Sequence, residues 1–374
     1  MKYVCKENSC TGCMACADKC PKNAIIIKDE YDHLNAVINE TLCIGCNACH
    51  QVCQNNNPPE LTAVKKWFQG WSESPEIRAA SSSGGAAAAI SKCFVENNGA
   101  VCSCKFQNGV FGFEIVDSVE ELQSLCGSKY VKSNPAGAYK KVSQLLKKGK
   151  KVLFIGLPCQ AASMKNYVGS KYSDMLYTAD LICHGSPSPE ILKMYLKDSR
   201  LSVENASDVK FRNNNSYKLY LDDQPVTPVG VQDLYTYCFL KGICYTENCY
   251  ECRYAATDRV SDITLGDSWG SYLPDEEKKK GISLILCQTD KGLELIGNSG
   301  LHLEDVDVER AIAANHQLKH PSVKPPERGK FLISLQKYGS FNRAFSKTFP
   351  KVYFRYRVKK VLYKFKNVVL PHSN

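Results

Sequence analysis

Eight cysteines near the amino terminus fall into two runs of one spacing: Cys10, Cys13, Cys16 and Cys20, then Cys43, Cys46, Cys49 and Cys53. In each run two residues separate the first three cysteines and three residues precede the fourth. On a tight loop, three thiolates so spaced reach three irons of one [4Fe–4S] cubane, while the fourth points to a neighbouring cluster. Two runs therefore imply two clusters with crossed ligation. Cys10, Cys13, Cys16 and Cys53 hold one; Cys43, Cys46, Cys49 and Cys20 hold the other. Zinc takes its ligands as two separated pairs. Disulfides need an oxidising compartment and an apolar leader, and Met1-Lys2-Tyr3-Val4-Cys5 begins without one. The reading is a two-cluster ferredoxin over residues 1–57, folded around its metal instead of a large core. Gln54 stands where the first run has Pro21.

Twelve of the twenty cysteines lie outside those runs. Cys159 and Cys183 each follow a short apolar strand, at the carboxyl end where α/β sheets place their ligands. Cys249 and Cys252 sit in a polar loop, with Cys244 five residues ahead of the first. Together Cys159, Cys183, Cys249 and Cys252 are a candidate ligand set for a third [4Fe–4S] cluster. The bland alternatives are cysteine as a small apolar side chain and a zinc-binding pair. Ser81-Ser82-Ser83-Gly84-Gly85 feeds the alanine-rich stretch from Ala86, which reads as an anion-binding helix amino terminus or as an ordinary capped helix. Asp262 to Gly270 reads as a strand ending in a polar glycine turn, with Trp269 either stacked on a flat ring or packed in the core.

The elements that must position these groups alternate in type. Lys151–Gly156, Tyr177–Ile182 and Ile282–Cys287 read as buried strands, the last followed by a helix near Gly292–Gly297. Val209–Arg212 and Lys218–Leu221 read as a hairpin, and Asn55-Asn56-Asn57-Pro58-Pro59 as a linker. The expected fold is α+β or α/β. A small bacterial-type 2[4Fe–4S] ferredoxin domain (1–57) precedes a larger mixed α/β domain (61–325) and a basic helical tail (326–374). The net charge of +10 resides in that tail: residues 328–374 hold twelve Lys/Arg and no Asp/Glu, leaving 36 basic and 38 acidic residues elsewhere. A nucleic-acid enzyme would carry its basic groups around the active groove, so nucleic acid is not expected as a partner. No apolar run approaches the ~18 residues of a membrane span. Apolar residues from Val352 to Val368 alternate with lysines and arginines, which reads as an amphipathic helix for an anionic membrane surface or an acidic partner. The expected location is cytoplasmic, peripheral at the inner face of the membrane if the tail binds there.

In order, the motifs Ser81–Gly85, Gly127-Ser128-Lys129-Tyr130-Val131, Ile155–Gln160, Asp180–Pro189, Cys249–Tyr254 and Arg259–Gly270 resemble the coenzyme F420 hydrogenase/dehydrogenase beta-subunit family, over roughly residues 1–325. Ser268 departs from the aromatic residue usual before the tryptophan. The amino-terminal ferredoxin resembles the family's bacterial branch. The resemblance implies a flavin- and iron–sulfur-dependent oxidoreductase with bound FAD and the third cluster, and hydride transfer to or from coenzyme F420 or another deazaflavin- or flavin-type acceptor. It implies that Ser82, Ser83, Gly84 and Gly85 hold flavin phosphate through backbone N–H groups and that Lys129 supplies a point charge. His184 and Asp267 are the candidate polar groups near the ring or substrate. The expected partner is a redox protein or a soluble electron carrier. The competing reading is a non-catalytic electron-relay subunit of a larger redox complex.

Overall fold

The computed structural model of the chain describes residues 2–213 and 216–369; the end of the expected tail, 370–374, lies outside the described residues. The amino-terminal part is a three-stranded antiparallel sheet in which Leu34–Ile38 pairs with Lys2–Tyr3 on one side and Ile25–Asp29 on the other. Two five-residue helices, Ala15–Lys19 and Ala48–Val52, carry the cysteine runs.

The larger part is a mixed sheet of eight strands. In spatial order these are Leu301–Glu304, Lys66–Ser72, Ser283–Cys287, Ile263–Asp267, Leu176–Leu181, Val152–Gly156, Ala100–Gln107 and Val110–Val116. Four consecutive strands, from Ile263–Asp267 to Ala100–Gln107, run parallel. Two-sided burial in the middle of the sheet explains the near-continuous apolar runs Val152-Leu153-Phe154-Ile155, in a parallel strand, and Leu284-Ile285-Leu286-Cys287, in the antiparallel strand beside them. Lys66–Ser72 points the same way, because it and Ile263–Asp267 are both antiparallel to the strand between them. The carboxyl ends of Lys66–Ser72, Val152–Gly156, Leu176–Leu181 and Ile263–Asp267 therefore share one edge, and the sequence motifs follow those ends. The expected hairpin forms as Val209–Asn213 against Ser216–Leu221, extended by Gln224–Pro225.

The expected linker is not free chain. The Asn55 amide donates to Ser9 O (2.7 Å), that of Asn56 to Val4 O (2.9 Å) and that of Asn57 to His50 O (2.8 Å). Three consecutive amides thus clamp the amino-terminal part closed, which composition alone could not foretell. Nor are the two parts separate in their packing. Val4, Leu34, Ala36 and Val52 share one apolar cluster with Phe154 of the large sheet and with Tyr139, Val142 and Ala161 of the helices packed on it.

The last helix, Pro350–Val369, lays Val352, Tyr353 and Tyr363 against the core around Phe341 and Phe345 and buries Tyr356 there. No helix among the described residues is long and apolar enough to cross a membrane.

Candidate iron–sulfur and flavin site

Both cysteine runs use one backbone solution. Gly12 and Gly45 take left-handed φ values of 70° and 71°, and Met14 and Asn47 repeat the turn at 64° and 60°. The fourth cysteine of each run, Cys20 or Cys53, terminates the short helix in extended conformation. Leaving the helix there turns its thiol away from the three before it. Cys10, Cys13, Cys16 and Cys53 are buried; Cys20, Cys43 and Cys49 are half-buried, and Cys46 is exposed. Cys53 stands near enough to Cys13 and Cys16 to oppose their ionisation, and Cys20 acts in the same way on Cys49. Burial pushes the Cys13 and Cys16 thiols up, so loading metal there must expel protons. A ninth thiol, Cys5, stands close enough to Cys10 and Cys53 to shift its ionisation and that of Cys53; lying outside the regular spacing, it gave no signal in the sequence.

Cys159, Cys183, Cys249 and Cys252 come together although 93 positions separate the first from the last. They line one cavity of about 430 Å³, with Thr11, Gln54, Lys132 and Tyr254 also in its wall. Cys159 lies in the first turn of the helix Pro158–Val168, Cys183 follows the strand Leu176–Leu181, and Cys249 lies within the short turn Glu247–Glu251 that Cys252 ends. An all-thiol donor set from three elements suits an iron–sulfur cluster. Among the described residues no three His, Cys, Asp or Glu side chains converge on a single ion; these four thiols surround a space. Cys244 stays out of it, buried in the core with Cys238.

The cavity abuts the buried cysteine set. Ser163, one turn beyond Cys159 on the same helix, donates to Cys159 O (2.9 Å) and stands near enough to the Cys13 thiol to ease its ionisation. Tyr139 donates to Cys13 O (2.6 Å). Gln54, the residue in place of a proline, is 1% exposed and accepts from the Tyr254 hydroxyl at 2.6 Å. Tyr254 is two residues past Cys252, so this departure from the cysteine pattern ties the ferredoxin to the cavity loop. Arg259 fixes that loop from behind. It donates to Tyr254 O, to Leu181 O (2.9 Å) and to Asp180 Oδ1 (2.8 Å), and both charged groups are buried.

Farther along the same edge, the Ser128 N–H donates to Ser82 Oγ at 3.1 Å, joining the serine–glycine loop to the Gly127-Ser128-Lys129 segment. Gly85 opens the helix Ala86–Glu96 at φ 86°. Gly84 has a packing reason: a Cβ there would lie 2.4 Å from Gly70 O and 2.6 Å from Ser283 N. Ser83 donates to Ile282 O (3.0 Å). The Lys129 ammonium is committed to Leu125 O (2.8 Å) and Cys126 O (2.6 Å), and desolvation pulls its pKa down. Asp267 accepts two bonds from Arg212, at 2.7 and 3.3 Å. Arg212 lies over the rings of Tyr217 (4.9 Å) and Trp269 (5.9 Å); in the sequence it was only one residue of a hairpin. Ser268 donates to Gln69 Oε1 (3.0 Å), a polar bond where the family's aromatic residue is missing. His184 Nδ1 meets Gln317 Nε2 at 2.8 Å, and the same amide reaches His316 Nε2 at 2.6 Å. Desolvation, then His316, pushes the His184 pKa down.

Residues 149–307 match the family described as the carboxyl terminus of the coenzyme F420 hydrogenase/dehydrogenase beta subunit, and residues 9–57 match a 4Fe-4S dicluster domain. Among solved structures, a chain of the xenon-derivatised F420-reducing [NiFe] hydrogenase complex from Methanosarcina barkeri is similar. It is 16% identical, with 71% of this chain and 97% of that chain covered, at a TM-score of 0.47. No curated protein matches. The dicluster domain brings [4Fe–4S] clusters and an electron-transfer role. The chain thus joins an amino-terminal 4Fe-4S dicluster segment to a segment that matches the carboxyl terminus of the coenzyme F420 hydrogenase/dehydrogenase beta subunit.

Proposed function

We propose that the chain is an iron–sulfur flavoprotein oxidoreductase that moves electrons between a redox partner and an organic substrate. Cys159, Cys183, Cys249 and Cys252 would hold a third [4Fe–4S] cluster, and an FAD would bind farther along the same sheet edge. The observation that carries this reading is the packing of Cys13 and the Cys159 helix into one apolar cluster. On this reading three thiol groups would stand in series: the set with exposed Cys46, the buried set with Cys13, and the inner cavity. Clusters transfer single electrons, and a flavin couples them to two-electron hydride chemistry. Ser82, Ser83, Gly84 and Gly85 would seat the flavin phosphates, supported by the bond from Ser128 to Ser82. With its ammonium on two carbonyls, Lys129 would add positive potential to that loop more than a direct contact. His184, through Gln317, and Asp267, through Arg212, would orient and polarise the substrate. Coenzyme F420 or another deazaflavin- or flavin-type acceptor is the proposed substrate class.

Anaerobic purification with iron, sulfide and flavin analysis tests this. The expected content is about twelve irons and one flavin per chain. Joint replacement Cys249→Ser and Cys252→Ser should remove about four irons. Unchanged iron in that variant overturns the inner cluster. Full iron without flavin overturns the flavoprotein and leaves an electron-relay subunit.

We also propose that the last helix seats the protein on an anionic membrane surface. Its outward residues Phe354 (70% exposed), Val358, Val361 and Leu362 (61% exposed) fall within one ~100° arc at 3.6 residues per turn. Arg355 and Arg357 flank that arc, and no acidic residue lies between 350 and 369. Co-sedimentation should occur with vesicles containing phosphatidylserine and fail with neutral ones. Joint Phe354→Ser and Leu362→Ser replacement should abolish it; equal binding by that variant refutes the assignment.

A further inference from the structure

Lys132 is a buried cation without an anion. It is 5% exposed and stands in the wall of the inner thiol cavity. Its Nζ donates to the carbonyl of Thr11, between Cys10 and Cys13, at 2.9 Å. Its stem lies against Gly12, where an added Cβ would come within 3.0 Å of Lys132 Cδ. No carboxylate among the described residues lies within ion-pair distance. Asp29, a carboxylate on which its charge acts, is engaged by the Ser188 hydroxyl at 2.6 Å and the Tyr31 N–H at 3.0 Å. An ammonium held out of water by one carbonyl is costly. It persists where something else supplies the negative charge.

The groups beside it can do so. Its charge acts on Cys159 and Cys183 of the cavity, and its hydrogen bond lands on the loop between two cysteines of the buried set. Thiolate-ligated clusters are anionic, and each gained electron makes them more so. We propose that Lys132 is the shared counter-ion of the two neighbouring cluster sites, and that it raises the reduction potential of the inner one so that an electron arriving from the ferredoxin comes to rest there. The proposal rests on the reading of the inner cavity as a cluster site. Lys132 touches no substrate; it is a positioning residue for charge. In sequence it lies three residues beyond Lys129, the lysine the motif points to. The chain spends Lys129 on carbonyls of its own preceding turn and turns Lys132 to the thiols.

The test uses the full chain with its clusters, as wild type, Lys132→Met and Lys132→Arg. The readouts are iron content and a redox titration followed by electron paramagnetic resonance. In Lys132→Met with about twelve irons, the ratio of reduced to oxidised inner cluster at fixed potential should fall at least about tenfold, a shift of about 59 mV for one electron. The signal of the exposed cluster should stay in place, and Lys132→Arg should keep the wild-type value. Full iron with unmoved potentials overturns the proposal. If Lys132→Met loses cluster iron, retention of iron and potential by Lys132→Arg supports the role of charge, and loss in both overturns it. Wild-type protein with only about eight irons ends the inner-cluster reading itself, and this proposal with it.

Discussion

Replacing Arg259 with methionine should unfasten the inner thiol cavity while leaving the ferredoxin intact. The guanidinium is 1% exposed and reaches Asp180 Oδ1 through Nη2 at 2.8 Å and Nε at 3.2 Å. Asp180 is fully buried; the same Oδ1 also accepts from Thr264 (2.9 Å), and its Oδ2 has no partner. Without Arg259 that carboxylate keeps a single hydroxyl. Removing one member of a buried ion pair costs about 3–5 kcal/mol, and the orphaned carbonyls of Tyr254 and Leu181 keep the cost at the upper end. Those carbonyls lie two residues from Cys252 and Cys183, so the loss falls on the loops that carry two of the four thiols. The double variant Arg259→Met with Asp180→Leu removes both charges and should recover most of the stability. It cannot recover the bonds to the two loops. The assay is urea denaturation of the large-domain transition, with iron analysis of each variant. The single variant should lose about 3–5 kcal/mol and about four irons; the double variant should regain stability but not iron. A single variant with wild-type midpoint and iron, or a double variant no more stable than the single, would refute the reasoning.

Two further substitutions probe how the motifs are seated. Gly84→Ala drives a Cβ into the backbone at Gly70 and Ser283, so a thermal melt should show about 1–3 kcal/mol of destabilisation; a wild-type melting temperature would mean that the loop does not pack there. Gln54→Leu keeps the volume but strands the Tyr254 hydroxyl, bonded at 2.6 Å. It should cost about 1–3 kcal/mol in denaturant unfolding, whereas an unchanged midpoint would show that this bond does not hold the ferredoxin to the cavity loop.

What could be read in the sequence was what is local. The cysteine runs confine their chemistry to loops of a few residues, so spacing alone carries the geometry, and the matched glycines at 12 and 45 follow from the same turn. Cys159 and Cys183 could be anticipated only through their places at strand ends, and Cys249 and Cys252 only as a spaced pair in a polar loop, because the fold, not the local spacing, brings the four together. Arg259 with Asp180, and Lys132 with Thr11, are pairs 79 and 121 positions apart. Nothing periodic marks either pair. Composition made Asn55-Asn56-Asn57 a linker, since asparagine favours turns; the folded chain uses the same turn-forming amides as clamps.

The same distinction bears on why the two parts share a core. A ferredoxin on a flexible tether could deliver electrons only through transient encounters, and tunnelling rates fall steeply with distance. Here Tyr139 donates to Cys13 O, Lys132 to Thr11 O, and the Gly137 N–H to Asp18 at 2.7 and 2.9 Å, while Val4, Leu34 and Val52 join the apolar cluster of the sheet. All three donors come from the segment 132–139 of the large part and land beside the cysteine loop or its helix. The buried thiol set is thus held against the large part, while Cys46 of the other set is exposed. On the proposed electron path that asymmetry would have a use: the fixed end would set the distance to the inner cavity, and the exposed end would meet partners. If the buried set instead faced solvent and the exposed set faced the sheet, the same two cysteine runs would serve a carrier, not a wire into this domain.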